Sequence, residues 1–216
     1  MGHSIAVDDT PALTDSCLRI VTGKGRTTAS AVADALHVAP EAIVAHLQTL
    51  ADAGLVEANG ERLKATPTGR ERVDALYAAE RATCQQAVDD VLQRFHPIND
   101  RFKEVVTAWQ LRTVAGELVP NDHSDADHDA TVLRRLRDEI HAAIVPVIDA
   151  AGAALTRLGH YGERLRAALG QIDKGEHQYI AHPLLESYHT IWFELHEELI
   201  RLSGRDRSTE AAAGRA

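Results

Sequence analysis

Near the end of the chain, residue types and spacing come together in a way that permits chemistry. At about 100° per residue, His182, Glu186, His189, Phe193, His196 and Ile200 fall on one narrow helical strip. Imidazole and carboxylate groups at such intervals can converge on one divalent metal ion, zinc or nickel, or on the polar groups of an organic effector. The neighbouring face, Leu185, Tyr188, Trp192, Leu195, Leu199 and Leu202, is apolar. The strip therefore borders a core and could line a cavity in a helical bundle. A second group is Trp109, Gln110 and Arg112, where an aromatic ring, an amide and a guanidinium suit a carboxylate-bearing or planar small molecule. His141, His160 and the loop residues Asp122, His123, Asp125 and His128 are further candidates to join either site. Histidines on helix surfaces are more often solvated or singly hydrogen-bonded than ligating, so effector site, metal site and plain surface all stay open at this point.

Acid–base groups alone do not make an enzyme. The sequence has no glycine-rich phosphate loop, no nucleophile elbow and no HExxH motif, and the chain is read as a non-enzyme. Its 216 residues allow two modest domains, and 44% hydrophobic residues can fill their cores. Aromatics are only 4%, and the apolar residues recur at helical spacing, which disfavours an all-β fold. Cys17 and Cys84 lie far apart, so neither a disulfide framework nor a thiolate zinc cluster is indicated and a reducing cytoplasm fits. Neither a signal peptide nor an apolar run long enough to span a bilayer is present, and no membrane partner is expected. A net charge of −9 argues against nonspecific coating of nucleic acid, since Lys and Arg supply most of that affinity. Any DNA contact must be local.

The elements that position these groups can be read along the chain. Leu13, Cys17, Leu18 and Val21 share a face of a first helix, stopped at Gly23. Val32, Ala35 and Leu36 mark a short second helix capped by Thr27 or Thr28. A turn over residues 37–39 precedes Pro40, which suits the first position of a third helix burying Ile43, Leu47 and Leu50 and ending at Gly54. The period then changes, and Asn59-Gly60 between two strand-like runs predicts a type I′ hairpin. Helical spacing resumes with Val73, Leu76, Tyr77, Val88, Val91, Leu92 and Phe95. A helix is predicted over 102–112, an acidic loop over 121–130, one long helix from Thr131 to Leu158 kinked at Pro146, and helices at 161–175 and 182–204.

The order helix, helix-turn-helix, Asn-Gly hairpin resembles the winged-helix regulators of the MarR, GntR and ArsR families over roughly residues 13–75. AVADALHVAPEAIVAHLQTLADAGLVE followed by ATPTGRERV carries the likeness, with Leu55, Val56, Thr66, Gly69 and Arg70 matching the run from the recognition helix to the wing exit. An ordinary three-helix bundle is the plainer reading of the same residues. The second half is similar in architecture to GntR-type regulators with an all-helical effector domain, some of which hold a metal through an Asp and three His. The ligand spacings of that pattern are absent, so its ligands are not carried over.

The resemblance implies a mainly α protein: a flexible leader over 1–12, a winged helix-turn-helix over 13–75, an all-α helical bundle for effector binding and dimerisation over 76–204, and a flexible tail over 205–216. It further implies a cytoplasmic, homodimeric transcriptional regulator holding a double-stranded DNA operator and sensing a small-molecule effector. The recognition helix would present Glu41, Ala42, Ala45, His46, Gln48 and Thr49 to the major groove. Gln48 could pair with adenine, and Glu41 could accept from cytosine. Lys24, Arg26, Thr28, Ser30, Arg62, Lys64 and Arg70 would contact phosphates. This helix has no Arg or Lys, the residues that most often read guanine. The alternative is a winged-helix module that docks on a partner enzyme without binding DNA.

Overall fold

Helix α1, Thr10–Lys24, buries Cys17, Leu18 and Val21 on the predicted face. It begins inside the expected leader and runs past Gly23; the left-handed residue that follows its end is Gly25, with φ +71°. The computed structural model describes residues 10–205, and the remainder of the expected leader and tail lies outside them. Strand β1, Thr27–Thr28, falls where only a loop is expected and leads straight into helix α2, Ala29–Leu36. Thr28 is the cap of α2, its hydroxyl accepting from the Ala31 N–H at 3.3 Å. His37, in the left-handed conformation at φ 53°, ends α2, and helix α3, Pro40–Asp52, starts three residues on with proline in its first turn.

Strands β2, Val56–Asn59, and β3, Arg62–Ala65, pair antiparallel, and β1 adds to the far edge of β3 in the order β1-β3-β2. The hairpin differs in detail from the Asn59-Gly60 expectation. Asn59 is itself paired with Arg62, so the two loop residues are Gly60 and Glu61. Of these only Gly60 has a positive φ, +61°, the pattern of glycine at the first position of a type II′ turn. The exit from the sheet is fixed by Thr66, whose hydroxyl donates to the Gly54 carbonyl at 2.7 Å and accepts from the Gly69 N–H at 3.0 Å. Gly69 is there for closeness rather than freedom: a Cβ at that position would stand 2.0 Å from the Leu55 carbonyl oxygen.

Helix α4, Pro67–Gln110, is one continuous element of 44 residues, where the sequence predicts two helices. It passes through Pro97, whose missing N–H cannot bond the carbonyl of Gln93, an exposed residue. Along this helix the chain divides, between Glu80 and Arg81, into two compact units. In the first, Val32, Ile43, Leu50, Val56, Val73 and Tyr77 complete the core, while Leu36 and Leu47 are only half-buried.

In the second unit, α4 is followed by an unforeseen hairpin, β4 Leu111–Val114 and β5 Glu117–Pro120. Helix α5, Ala126–Arg135, then runs through a widened π turn, Leu136–His141, into α6, Ala142–Ala154. At that turn the Ala142 N–H reaches back five residues to the Arg137 carbonyl, directly upstream of Pro146. The helix ends at Leu155, which is extended, and not at Leu158. Helix α7, His160–Ile172, and helix α8, Tyr188–Leu202, complete the unit. Phe95, Phe102, Tyr188 and Trp192 stack in its core at centroid distances of 4.3 to 6.2 Å. The chain is mainly helical; among the described residues there are two small antiparallel sheets, and no helix is long and apolar enough to cross a membrane.

Candidate functional site

The first candidate surface is built on α3. Burial of Ile43 and Leu50 turns the opposite face outward, and Glu41, Ala42, Val44, Ala45, Gln48 and Thr49 are exposed on it. The polar groups on that face are already engaged. Gln48 donates to Asp52 at 2.8 Å and Thr49 to the Ala45 carbonyl at 2.8 Å. His46 is drawn sideways and half-buried against α1, its Nδ1 2.8 Å from the Thr14 hydroxyl. Val44 is 60% exposed. The face carries no cation.

The cations of this unit stand on other elements. Arg26 and Arg62 are exposed and take no part in a salt bridge among the described residues. Thr28 and Ser30 share a hydroxyl–hydroxyl bond of 2.9 Å at the start of α2. Lys24 is half-buried at the end of α1. Lys64 faces Glu57 across the β2–β3 ladder at 3.6 Å. Arg70 is partly committed inward, donating to the Ala65 carbonyl at 2.8 Å. Over residues 10–80 there are seven Lys or Arg against nine Asp or Glu, so these cations stand in a mildly acidic unit.

In the second unit the predicted histidine strip does not exist as one helical face. Pro183 interrupts the backbone, and α8 starts only at Tyr188, capped by Ser187, whose hydroxyl accepts from the Thr190 N–H at 3.2 Å. His182 and Glu186 therefore lie in the turns before α8. His182 is exposed, with its Nδ1 accepting from the Leu184 N–H. On α8, His189 sits near the Phe102 ring and burial holds its pKa below the ordinary value. His196 is buried beside Phe95 and His96. Among the described residues no three His, Cys, Asp or Glu side chains are grouped to hold a metal ion.

What Glu186 does join is a buried ionic network absent from the sequence reading. Arg164, 1% exposed, donates through Nε and Nη2 to Glu186 Oε2 at 3.1 and 2.6 Å and through Nη2 to Glu194 at 2.6 Å. Next to it, Tyr161 donates to Glu198 at 2.6 Å, and Arg157 ion-pairs with the same carboxylate. Burial alone would raise the Glu198 carboxyl; Arg157 and the Tyr161 hydroxyl hold it below its ordinary range. His160 stacks on Tyr161, and burial, then Arg164, keep it below the usual histidine value. Its Nε2, the Arg164 Nη1 and the Asn99 Nδ2 are buried without a hydrogen-bond partner. A signal for this network was present: Tyr161, Leu165, Ala168 and Ile172 set an inward stripe of α7 that carries Arg164 into the interior, where a guanidinium requires carboxylate partners.

Trp109, Gln110 and Arg112 are separated by the end of α4. Trp109 is buried beneath His123 at a centroid distance of 4.4 Å, with His177 edge-on at 5.5 Å. His123 is itself 3.0 Å from Asp129, and Asn121 ties the corner together by donating to the Trp109 carbonyl and to Asp129. Gln110 is exposed. Arg112 pairs with Asp122 at 2.9 Å. Of the remaining histidines, His128 binds the Ala108 carbonyl at 2.7 Å and His141 the Tyr188 hydroxyl at 3.2 Å. Comparison with protein-family models, with curated proteins and with solved structures returns no match.

Proposed function

We propose that the chain is a DNA-binding transcriptional regulator, with a winged helix-turn-helix in its first unit and an all-helical effector-binding and dimerisation unit in its second. The observation that carries this reading is the sequence of elements α2, left-handed turn at His37, α3, and the antiparallel hairpin β2–β3 joined by β1. In that arrangement α3 is the helix that enters the major groove. Arg26, Arg62, Lys64 and the Thr28–Ser30 hydroxyls then flank it as phosphate contacts. Sequence discrimination falls to Gln48, Thr49 and Glu41, and the affinity supplied by few cations is modest for one copy, which is why a homodimer on paired half-sites belongs to the proposal.

The effector half of the reading is supported by the donors Asn99 Nδ2 and Arg164 Nη1 and by the acceptor His160 Nε2, buried and unpaired in the second unit. Such atoms favour a bound polar molecule over an apolar one. No metal enters the proposal. Selection of duplexes from a random pool by the full chain tests the central reading. An enriched sequence bound in a salt-sensitive complex supports it, and recovery of no sequence above background opposes it.

One observation favours a second reading, docking on a partner protein. The exposed face of α3 has no cation and presents Val44 among Glu41, Ala42 and Ala45, a composition closer to a protein contact than to a groove reader. Recovery of one stoichiometric protein partner without DNA, lost in Val44→Asp, would favour it.

A further inference from the structure

Helix α6 gives way at Leu155 to a single 3₁₀ turn, Thr156–Gly159, which carries the chain into α7. The corner is tight: a Cβ on Gly152 would stand 3.1 Å from the Gly159 Cα. Leu158 closes it from within, its N–H donating to the Leu155 carbonyl at 2.8 Å. Arg157 ties it to α8 through the ion pair with Glu198. His160, the first residue of α7, bonds the Arg157 carbonyl through Nδ1. A carbonyl only accepts, so Nδ1 carries the ring hydrogen and Nε2 keeps a lone pair, buried without a hydrogen-bond partner.

These surroundings suit the neutral ring. The charged and titratable groups that face it are Arg157 of the turn, Tyr161 and Arg164 of α7, and Glu198 of α8. Two of them are guanidiniums, and the one carboxylate among them already holds Arg157 and the Tyr161 hydroxyl. As the first residue of a helix, the ring also stands at the positive end of the helix dipole. A proton on Nε2 would add a buried donor with no acceptor and a third cation to the corner.

We propose that the α6–α7 corner is an acid-released catch, in which a proton taken up at His160 opens residues 155–160 while the rest of the second unit stays folded. Burial, and after it Arg164, hold the His160 pKa below its ordinary value in the closed corner. The open corner therefore binds the proton more readily, and its population rises as the pH falls from about 6.5 towards the lower closed-state value. The inference does not draw on the DNA reading.

Hydrogen exchange of the 158–164 amides in the full chain, from about pH 7.5 to about pH 5 and corrected for intrinsic exchange chemistry, tests it. Opening of the corner should rise by up to about tenfold per pH unit below about 6.5. Local opening also requires these amides to exchange faster than those of the α4 segment 88–105. His160→Asn, whose amide can still donate to the Arg157 carbonyl but takes up no proton, should stay equally protected across the series. Nitrogen NMR of the wild-type ring reads the same catch without a variant: the hydrogen should sit on Nδ1 at about pH 7.5, with titration below about 6.5. Protection that ignores pH overturns the inference, as does a rise that persists in His160→Asn. So does a corner no faster than α4, or a neutral ring that carries its hydrogen on Nε2.

Discussion

The exposed face of α3 and the interior beside α7 are both rich in polar groups, yet they differ in what those groups already bond. On α3, Gln48 and Thr49 turn back onto their own helix, and both bonds are exposed ones that water or a base edge could replace at little cost. Beside α7, Arg164, Glu186, Glu194, Glu198 and Tyr161 are bonded across different elements at low exposure. Breaking one member strands a charge. Residue type therefore marks both places as candidates for chemistry, but only the first can release its bonded groups to a partner at little cost. The second holds the unit together.

The largest test of this contrast is Arg164→Leu. It leaves Glu186 and Glu194 without their guanidinium and is expected to cost about 3–5 kcal/mol, read as a lower urea midpoint. An unchanged midpoint would mean that the network is decorative. The same interior should respond to acid. Glu198, held below its ordinary value, adds stability above its unfolded pKa that is lost as the pH falls through the lower folded value. His160, also depressed, binds a proton more readily unfolded than folded, so stability falls once the pH drops below about 6.5. Denaturant midpoints taken from about pH 8 to about pH 4 should fall steadily, and less steeply with Glu198→Gln.

In the first unit, Gly69→Ala forces a methyl group against the Leu55 carbonyl and should cost about 1–3 kcal/mol in a calorimetric transition of that unit. Thr66→Ala removes the α4 cap and the bond to Gly54, for about 1 kcal/mol. The smallest effect is expected on α3: Gln48→Ala and Thr49→Ala should move stability by less than about 0.5 kcal/mol, leaving any loss of binding to be read without a folding correction.

Much of the first unit was legible in the sequence because its punctuation is local. Thr28, Pro40 and Gly54 act within one turn of where they stand, and the stripes of Ile43 and Leu50 need only a single core. The β1 strand was not legible, since two threonines become a strand only when Arg62 and Leu63 arrive from across the sheet. The β4–β5 hairpin had a signal, β-branched residues around Ala115-Gly116, masked by the helical stripe running into it. The histidine strip failed at Pro183, where a face drawn by angle alone ignored a residue that cannot continue a helix. Arg164 was hidden for the opposite reason: its pairing depends on Glu186 and Glu194, brought near only when α8 and the turns before it pack on α7.

The central claim is that α3 and its flanking cations hold duplex DNA. The direct measurement is fluorescence anisotropy of the selected duplex against the full chain over a series of salt concentrations, repeated with Arg26→Ala and Arg62→Ala. The account predicts a sequence-dependent complex whose affinity falls with salt, each substitution weakening it and lowering the slope of log affinity against log salt by about one. Binding that is independent of sequence and salt, or unmoved by both substitutions, would contradict it.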